Sequence, residues 1–296
     1  MDADHVTEIG STHKMCQDYA LSGMINDHIS FAIVSDGCSS SQDVDIGARL
    51  LCYAAKGFLL KQLMGEENID SVVDSVECFE TSLITSVLKK AQRALWEIDL
   101  DLYKNPVALD CTLLVAVADV NNAATFAQGD GGIVVQMSNK EAAFKHIDFL
   151  SGAPYYLSYE LDANRDMGYM ETYGREPVVV WNDQIKDGCV YRNIEARFDT
   201  LIPESLEQHT SRVHRNPLGI TLVSDGVNSF QTKVSKKDWK NLTFEDILPS
   251  LTKFKNTNGE FVKRKLNAFK YNMNKAHEEW GHYDDLAMAS IWLRKV

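Results

Sequence analysis

Two short stretches of this sequence end in the same way, and that ending limits what the chain can build. Residues 31–37 read FAIVSDG and residues 219–226 read GITLVSDG. A short apolar run rich in β-branched residues predicts a buried strand, and the Asp-Gly after it predicts the turn that leaves the sheet. The sequence therefore predicts two strands that deliver the carboxylates of Asp36 and Asp225 to sheet edges, where they can share a metal ion.

Hairpins and helices are predicted around these two strands. Residues 19–25 and 29–35 predict an antiparallel hairpin, which would place Asp18 and Asp36 near one end of it. The remaining predicted elements are helices over residues 44–64, 71–103, 235–240, 244–254 and 261–280, and strands over residues 111–118, 123–127, 133–137 and 286–293. Strands and helices in this order predict an α+β fold rather than a regular alternation of strand and helix.

Residues 139–215 carry the weakest periodic pattern. Gly, Asn, Pro, Tyr and acidic residues dominate around 151–175, which is typical of a long flap inserted between strands, with short strands expected at 178–181 and 197–202. No internal repeat or linker divides the chain, and 296 residues with 45% hydrophobic content can bury one large core. Residues 1–296 are therefore expected to form a single domain with a flap insertion at about 139–215.

Charge and hydropathy exclude some functions. A formal charge of −12 opposes nucleic-acid binding, because neutralising phosphates needs a basic surface. No stretch approaches the roughly 18 apolar residues of a membrane span, and the N-terminal MDADH is unlike a secretory signal. Six cysteines without a Cys-x-x-Cys pair indicate reduced thiols rather than structural zinc or disulfides. We expect a cytoplasmic protein that binds neither nucleic acid nor membranes.

One basic segment interrupts the acidic background. Residues 231–275 hold eleven Lys and Arg against four Asp and Glu. A solvated helix face is the simpler interpretation. A docking surface for an acidic partner is the alternative.

Acidic residues at predicted strand edges are the chemical inventory of this chain. A single such residue is typical of a turn or a helix cap, but a site rich in carboxylates and poor in His and Cys suits Mg²⁺ or Mn²⁺. The members of this set are Asp18, Asp36, Asp130, Asp225, Asp284 and Asp285.

Five short motifs containing these residues resemble those of the metal-dependent protein phosphatases, the type 2C family. They are QD at 17–18, VSDG at 34–37, GD at 129–130, LVSDG at 222–226 and DDL at 284–286. They occur in the family's order and approximate spacing over nearly the whole chain, and residues 10–20 and 36–51 look most like the bacterial and phage-type branch. The resemblance implies a four-layer αββα sandwich, in which two antiparallel β-sheets are flanked by helix pairs.

The resemblance also implies a set of ligands for two Mn²⁺ or Mg²⁺ ions and a weaker third. Asp36 would bridge two ions, the Gly37 carbonyl would bind one of them, and Asp225 and Asp284 would hold the other. Asp18 would act mainly through metal-bound water. The acid that helps the third ion in some members of the family corresponds to Asp130.

The implied activity is phosphomonoester hydrolysis by a protein Ser/Thr phosphatase that acts as a monomer on phosphoproteins. A hydroxide that bridges two metal ions would attack phosphorus in line, without a covalent enzyme intermediate. Asp36 and His13 are the expected catalytic residues, and His13 and Lys14 the expected substrate contacts. The aspartyl-phosphate phosphatases are excluded, because they need a second Asp two residues after the first and Cys38 stands there.

Departures from the family pattern leave a second interpretation open. His13 replaces a phosphate-binding Arg that many members carry, and an imidazole binds phosphate more weakly than a guanidinium. Cys38 replaces a His proposed as general acid in many eukaryotic members. The other replacements are Gln17 for Glu, Asp285 for Asn and Ser229 for an acid. A phosphatase-like module of weak or absent activity that binds a phosphorylated partner is therefore the alternative to an active enzyme.

Overall fold

A computed structural model gives the architecture. The structure describes residues 1–97, 106–137, 141–149, 152–173, 178–186, 189–198, 212–235, 238–242, 244–277 and 279–293. Within these ranges no helix is long and apolar enough to cross a membrane.

Two antiparallel sheets form the centre of the fold. The larger has seven strands in the order β1 (Asp2–Glu8), β15 (Leu286–Trp292), β11 (Gly219–Val223), β6 (Gly131–Gln136), β7 (Glu141–Phe149), β8 (Val178–Lys186) and β9 (Cys189–Phe198). The other has five, in the order β10 (Arg212–Arg215), β5 (Asn122–Gln128), β4 (Leu113–Ala118), β3 (Ser30–Ser35) and β2 (Tyr19–Met24). A small third sheet is formed by β13 (Trp239–Asn241), β12 (Phe230–Lys233) and β14 (Trp280–His282).

Six α-helices lie within the described residues. They are α1 (Val44–Leu63), α2 (Asp70–Asp74), α3 (Val76–Glu97), α4 (Ala163–Tyr173), α5 (Phe244–Thr252) and α6 (Phe261–Ala276). One buried cluster joins α1 and α3 to the five-stranded sheet, and another joins α5 and α6 to the seven-stranded sheet. A third cluster lies between the two sheets. Three cores in series make four layers, so the predicted αββα sandwich is confirmed.

The central strands are buried on both faces, which explains their continuous apolar sequences. Along β3, Phe31 and Ile33 pack toward α1 and α3, while Ala32 and Val34 pack against the other sheet. Every residue of β3 and β4 is buried. Successive side chains of a strand point to opposite faces, so one apolar run supplies two cores. The predicted hairpin is present, because β2 and β3 pair antiparallel from Tyr19 opposite Ser35 to Met24 opposite Ser30.

Several elements outside residues 139–215 differ from the predicted ones. The predicted helix over 71–103 is two helices, because the backbone leaves the helical region at Ser75, where φ is −140°. Residues 98–103 of that prediction lie outside the described ranges. The helix predicted over 235–240 is wrong in its described part, because Trp239 belongs to β13 and pairs with Lys233 of β12. β1 was not predicted, and the predicted helix over 261–280 ends at Ala276.

The interval 139–215 contains more strand than its sequence predicts. The strand expected at 178–181 is part of β8, and most of the strand expected at 197–202 lies outside the described ranges. β7, β8 and β9 extend the seven-stranded sheet. A short 3-10 helix (Leu157–Leu161) and α4 form the helical part of this interval. That the interval acts as a flap stays a prediction.

Two glycines of α1 give a matched test of this packing. A methyl group on Gly47 would lie 1.5 Å from the Ala108 carbonyl oxygen, whereas one on Gly57 would meet only the Lys90 Nζ, at 3.4 Å. We expect Gly47→Ala to lower the free energy of unfolding by about 2–3 kcal/mol. Gly57→Ala should raise it by about 0.5 kcal/mol, because alanine favours the helix. Urea unfolding of both variants measures this, and equal stabilities would contradict the packing of α1 on residues 106–109.

Candidate functional site

The predicted acidic residues lie at one end of the sandwich, because the strand ends that they adjoin all lie on that side. Asp18 precedes β2 and Asp36 follows β3, and Tyr19 pairs with Ser35, so the two acids are neighbours. Asp225 follows β11, while Asp130 and Asp284 precede β6 and β15. Val223 pairs with both Gly132 and Met288, which brings these three strand ends together.

Asp18 and Asp36 lie beside each other, and Asp18 is buried while Asp36 is partly exposed. Their carboxyl groups are close enough to interact directly. Burial, with the negative charges of Asp225 and Asp285, raises the pKa of Asp18 to about 7. Burial raises the pKa of Asp36 well above its usual value, and the charges of Asp18 and Asp225 add to that effect. Ionising both of these neighbouring carboxyl groups is therefore unfavourable.

The seven-stranded sheet contributes the other acids, which interact electrostatically with Asp18 and Asp36. Asp225 is hydrogen bonded to Asp36, and its charge contributes to the raised pKa values of Asp130 and Asp284. Burial is the larger cause for Asp130 and Asp284. The site is thus a concentration of carboxyl groups from both sheets that cannot all ionise without a compensating positive charge.

The backbone on the Asp36 side is held rigidly. The Asp36 N–H donates to Thr112 Oγ1 at 3.0 Å, and the Thr112 N–H donates to the Asp36 carbonyl at 2.8 Å. Gly37 forms a bridge with Cys111, and a methyl group on it would lie 2.8 Å from the Gln17 carbonyl oxygen. Only glycine fits there, which fixes the peptide whose carbonyl is the predicted ligand.

Asp285 holds the loop of residues 10–18 against the site. Its Oδ1 accepts a hydrogen bond from the Gly10 N–H at 2.7 Å, and its Oδ2 accepts one from the Gln17 N–H at 2.6 Å. The Asp285 side chain is 1% exposed. Because both oxygens accept backbone hydrogen bonds, Asp285 positions the loop that carries His13 and Asp18.

The two predicted substrate contacts differ in their surroundings. His13 Nδ1 lies 2.9 Å from Asp285 Oδ2, and its Nε2 lies 3.6 Å from Asp284 Oδ1. Partial burial lowers the pKa of His13, but the interaction with Asp285 and the charges of Asp284 and Asp18 outweigh it and raise the pKa. His13 therefore contacts the acidic centre directly. Lys14 is exposed, and it forms no ion pair with the described acids of this site.

Asp110 connects the Cys38 loop to the helical part of the predicted flap. Its Oδ2 accepts from Ser41 Oγ at 2.7 Å, its Oδ1 accepts from Ser158 Oγ at 2.5 Å, and Arg165 donates to both oxygens at 2.8 Å. Its carbonyl accepts from the Cys38 N–H at 2.8 Å. This buried carboxylate therefore anchors residues 158–165 next to the loop that follows Asp36 and Gly37.

Tyr156 is the side chain that this anchor brings to the acidic centre. Its hydroxyl is hydrogen bonded to Cys38, and the charges of Asp130 and Asp36 act on it. Burial raises the pKa of Tyr156, with the charge of Cys38 as the next cause, so its hydroxyl stays protonated. A neutral hydrogen-bond donor thus stands beside a strongly acidic site.

The donor set fits a hard divalent cation. Asp18 Oδ2 is buried and has no hydrogen-bond partner. In the part of the chain that the structure describes, no three His, Cys, Asp or Glu side chains are arranged as a coordination shell. Carboxylate oxygens at this density, with no thiolate or imidazole cluster, suit Mg²⁺ or Mn²⁺.

Sequence reasoning missed two residues of this site, because Asp110 and Tyr156 were not singled out. Asp285 was expected among the strand-edge acids and as a substitution for Asn, but its hydrogen bonds to the loop of residues 10–18 were not predicted. Nothing local indicates Asp110 or Tyr156, because their partners lie 48–69 residues and more than 100 residues away along the chain, respectively.

The role of Asp285 leads to a test of loop order. In Asp285→Asn the amide group presents a donor where one backbone N–H needs an acceptor, so we expect the free energy of unfolding to fall by about 1–3 kcal/mol. Amide exchange of Gly10 or Gln17 should become faster. Asp74→Asn, at an exposed position at the end of α2, is the control. Unchanged exchange at both amides would contradict the role of Asp285.

Comparisons with known proteins agree with this geometry. The family model of protein phosphatase 2C matches residues 9–269. No curated protein has a sequence that matches this chain. Among solved structures, Stp1 from Staphylococcus aureus, a serine/threonine phosphatase, superimposes with a TM-score of 0.54 at 11% identity, over 99% of this chain and 96% of that one.

Two further serine/threonine phosphatases have the same fold. That of S. agalactiae gives a TM-score of 0.51 at 13% identity, over 99% of both chains. PstP/Ppp of Mycobacterium tuberculosis gives 0.50 at 11% identity, over 99% of this chain and 100% of that one. Identities this low show a shared fold, while the family model covers most of the sequence. The chain belongs to the protein phosphatase 2C family.

Proposed function

We propose that this protein is a metal-dependent phosphomonoester hydrolase whose substrates are phosphoproteins carrying phospho-Ser or phospho-Thr. The observation that carries the proposal is the convergence of Asp18, Asp36, Asp130 and Asp225 in one partly buried centre, where burial and mutual repulsion raise the pKa values of Asp18, Asp36 and Asp130. A concentration of carboxyl groups is a costly arrangement that a divalent cation relieves. Membership of the family supports the same activity.

The ligands in this proposal are those expected from the sequence. Asp36, the Gly37 carbonyl, Asp225 and Asp284 would hold two Mn²⁺ or Mg²⁺ ions. Asp18 would act mainly through metal-bound water, and Asp130 would help a weaker third ion. When bound, such ions supply a water of lowered pKa for attack on phosphorus and offset the charge of the phosphoryl oxygens.

The surrounding residues position this centre and bind the substrate. Asp285 holds the loop of residues 10–18, and His13, held between Asp284 and Asp285, faces the phosphoryl group as an imidazole of raised pKa. Lys14 is an exposed cation on the same loop that attracts the phosphorylated peptide. Tyr156 and Cys38 form the wall on the flap side.

One observation favours a second candidate function, a module that binds phosphorylated partners without turnover. His13 is engaged by two carboxylates, so it is less able to grip a phosphate than a free arginine would be. Weak phosphate binding with intact fold would leave a phosphatase-like binding protein.

Substitution of the central acids separates the two functions. We expect the protein to hydrolyse an aryl phosphate with Mn²⁺ or Mg²⁺, and Asp36→Asn and Asp225→Asn each to lower kcat/KM at least 100-fold, because each removes a charged metal ligand. Asp27→Asn, in the exposed turn of the first hairpin, is the control and should keep wild-type rates. Absence of turnover with every divalent metal, together with binding of a phosphopeptide, would favour the binding module.

Substitutions of two adjacent tyrosines test whether Tyr156 contributes to the site on the flap side. Tyr156→Phe removes the hydroxyl that contacts Cys38, and we expect kcat/KM for a phosphopeptide to fall about tenfold. Tyr155→Phe removes a hydroxyl that donates to Asp166 at 2.8 Å, so it is a matched control with unchanged kinetics. Equal rates for both variants and wild type would remove Tyr156 from the site without affecting the metal-dependent activity itself.

A further inference from the structure

A cavity of about 410 Å³ opens between α5, α6 and the seven-stranded sheet. Among its lining residues are three lysines, Lys253, Lys255 and Lys265, and three aromatic side chains, Phe254, Phe269 and Trp292. Its described lining contains no acidic side chain. Cavities that bind small molecules have volumes of about 300–1,000 Å³ and combine an apolar lining with a few polar groups. This one has both components.

The cavity lies away from the acidic centre. Trp292 ends β15, and the acids Asp284 and Asp285 precede the start of the same strand. Gln136, another lining residue, ends β6, which starts directly after Asp130. Seven residues of strand separate the two places by about 20 Å. A ligand bound in the cavity therefore does not share the centre formed by the carboxyl groups.

The aromatic floor is built into the fold. Trp292 is 3% exposed, Phe254 5% and Phe269 6%. The rings of Phe254 and Trp292 meet edge to face, with centroids 5.6 Å apart. A methyl group on Gly219 would lie 2.4 Å from Trp292 Cε3, so the strand below needs a glycine to seat the indole. These packed rings form a fixed apolar lining on one side of the cavity.

The charged side chains in the described lining of the cavity, Lys253, Lys255 and Lys265, are all positive. Lys265 is half-buried on α6, and its pKa is lowered by burial and then by the positive charges of Lys255 and Lys253. Three like charges at one opening repel each other, and in a chain of net charge −12 such a grouping is a local exception. An anion at the opening would relieve the repulsion. The cluster also accounts for part of the basic segment at residues 231–275.

We propose that this cavity binds a small organic anion, with its carboxylate, phosphate or sulfonate group among Lys253, Lys255 and Lys265 and an apolar body against Phe254, Phe269 and Trp292. The lysines alone would hold an inorganic ion weakly, because exposed charges are screened by water and salt. The aromatic floor alone would not select a charge. The combination selects molecules that carry both parts. This inference does not depend on the proposed phosphatase activity.

Binding of 8-anilino-1-naphthalenesulfonate, an aromatic anion that the cavity is large enough to hold, tests this proposal on the full chain. Calorimetry should show one saturable site. Lys265→Met and Lys253→Met should each weaken binding about tenfold by removing one charge. Lys275→Met is the matched control, because Lys275 lies over the Tyr271 ring at the end of α6 and does not line the cavity.

Two further probes separate the parts of the site. The neutral N-phenyl-1-naphthylamine should bind at least tenfold more weakly than the sulfonate, and inorganic phosphate should compete only at much higher concentration. Equal affinity in all three lysine variants, or several non-saturable sites, would overturn the proposal. Equal binding of the neutral dye would reduce the cavity to an apolar patch, and equally tight binding of phosphate would reduce it to an ion site, and either result also overturns it. Unchanged circular dichroism of the variants ensures that the comparison concerns folded protein.

Discussion

Repulsion among buried carboxyl groups is the interaction around which this molecule is arranged. The antiparallel register that sets Tyr19 opposite Ser35 brings Asp18 next to Asp36, and the pairing of Val223 with two neighbouring strands brings Asp225 toward Asp130 and Asp284. Placing this many carboxyl groups together costs free energy, and a bound cation would offset that cost. Three hydrophobic cores, one between the sheets and one on the outer side of each, stabilise the strands that carry the acids and offset this unfavourable free energy.

The hydrogen bonds around the centre serve rigidity more than stability. Thr112 ties the Asp36 peptide to the neighbouring strand, Asp285 ties the loop of residues 10–18, and Asp110 ties the Cys38 loop to Ser158 and Arg165. Each connection joins segments far apart in sequence, and each ends within a few residues of a predicted ligand. Such supporting contacts hold reactive groups to the small tolerances that catalysis needs. The geometry of the site therefore depends on these hydrogen bonds as well as on the acidic residues themselves.

Sequence patterns predicted the parts of this structure that depend on local order. The buried strands ending in Asp36 and Asp225, the first hairpin, α1 and the last strand follow from apolar runs and turn residues, and the αββα arrangement came from the family resemblance. The patterns failed where tertiary contacts decide. β1 alternates between polar and apolar residues at an edge of the sheet, and Trp239 joins a hairpin because its partner strand is present. Residues such as Asp110 and Tyr156 acquire their roles only through contacts with distant segments, so no local pattern could indicate them.

The pairing of β1 with β15 has a consequence for synthesis of the chain. Seven residue pairs connect Asp2–Glu8 to Leu286–Trp292, and Asp285 closes the loop that begins at Gly10 across 275 residues. During translation the strand Asp2–Glu8 lacks its partner, and the acidic centre lacks Asp284, until residues 284–292 have emerged from the ribosome. Contacts of such long range form late and slowly. A nascent chain therefore has no assembled acidic centre, and β1 can pair only after β15 has been synthesised.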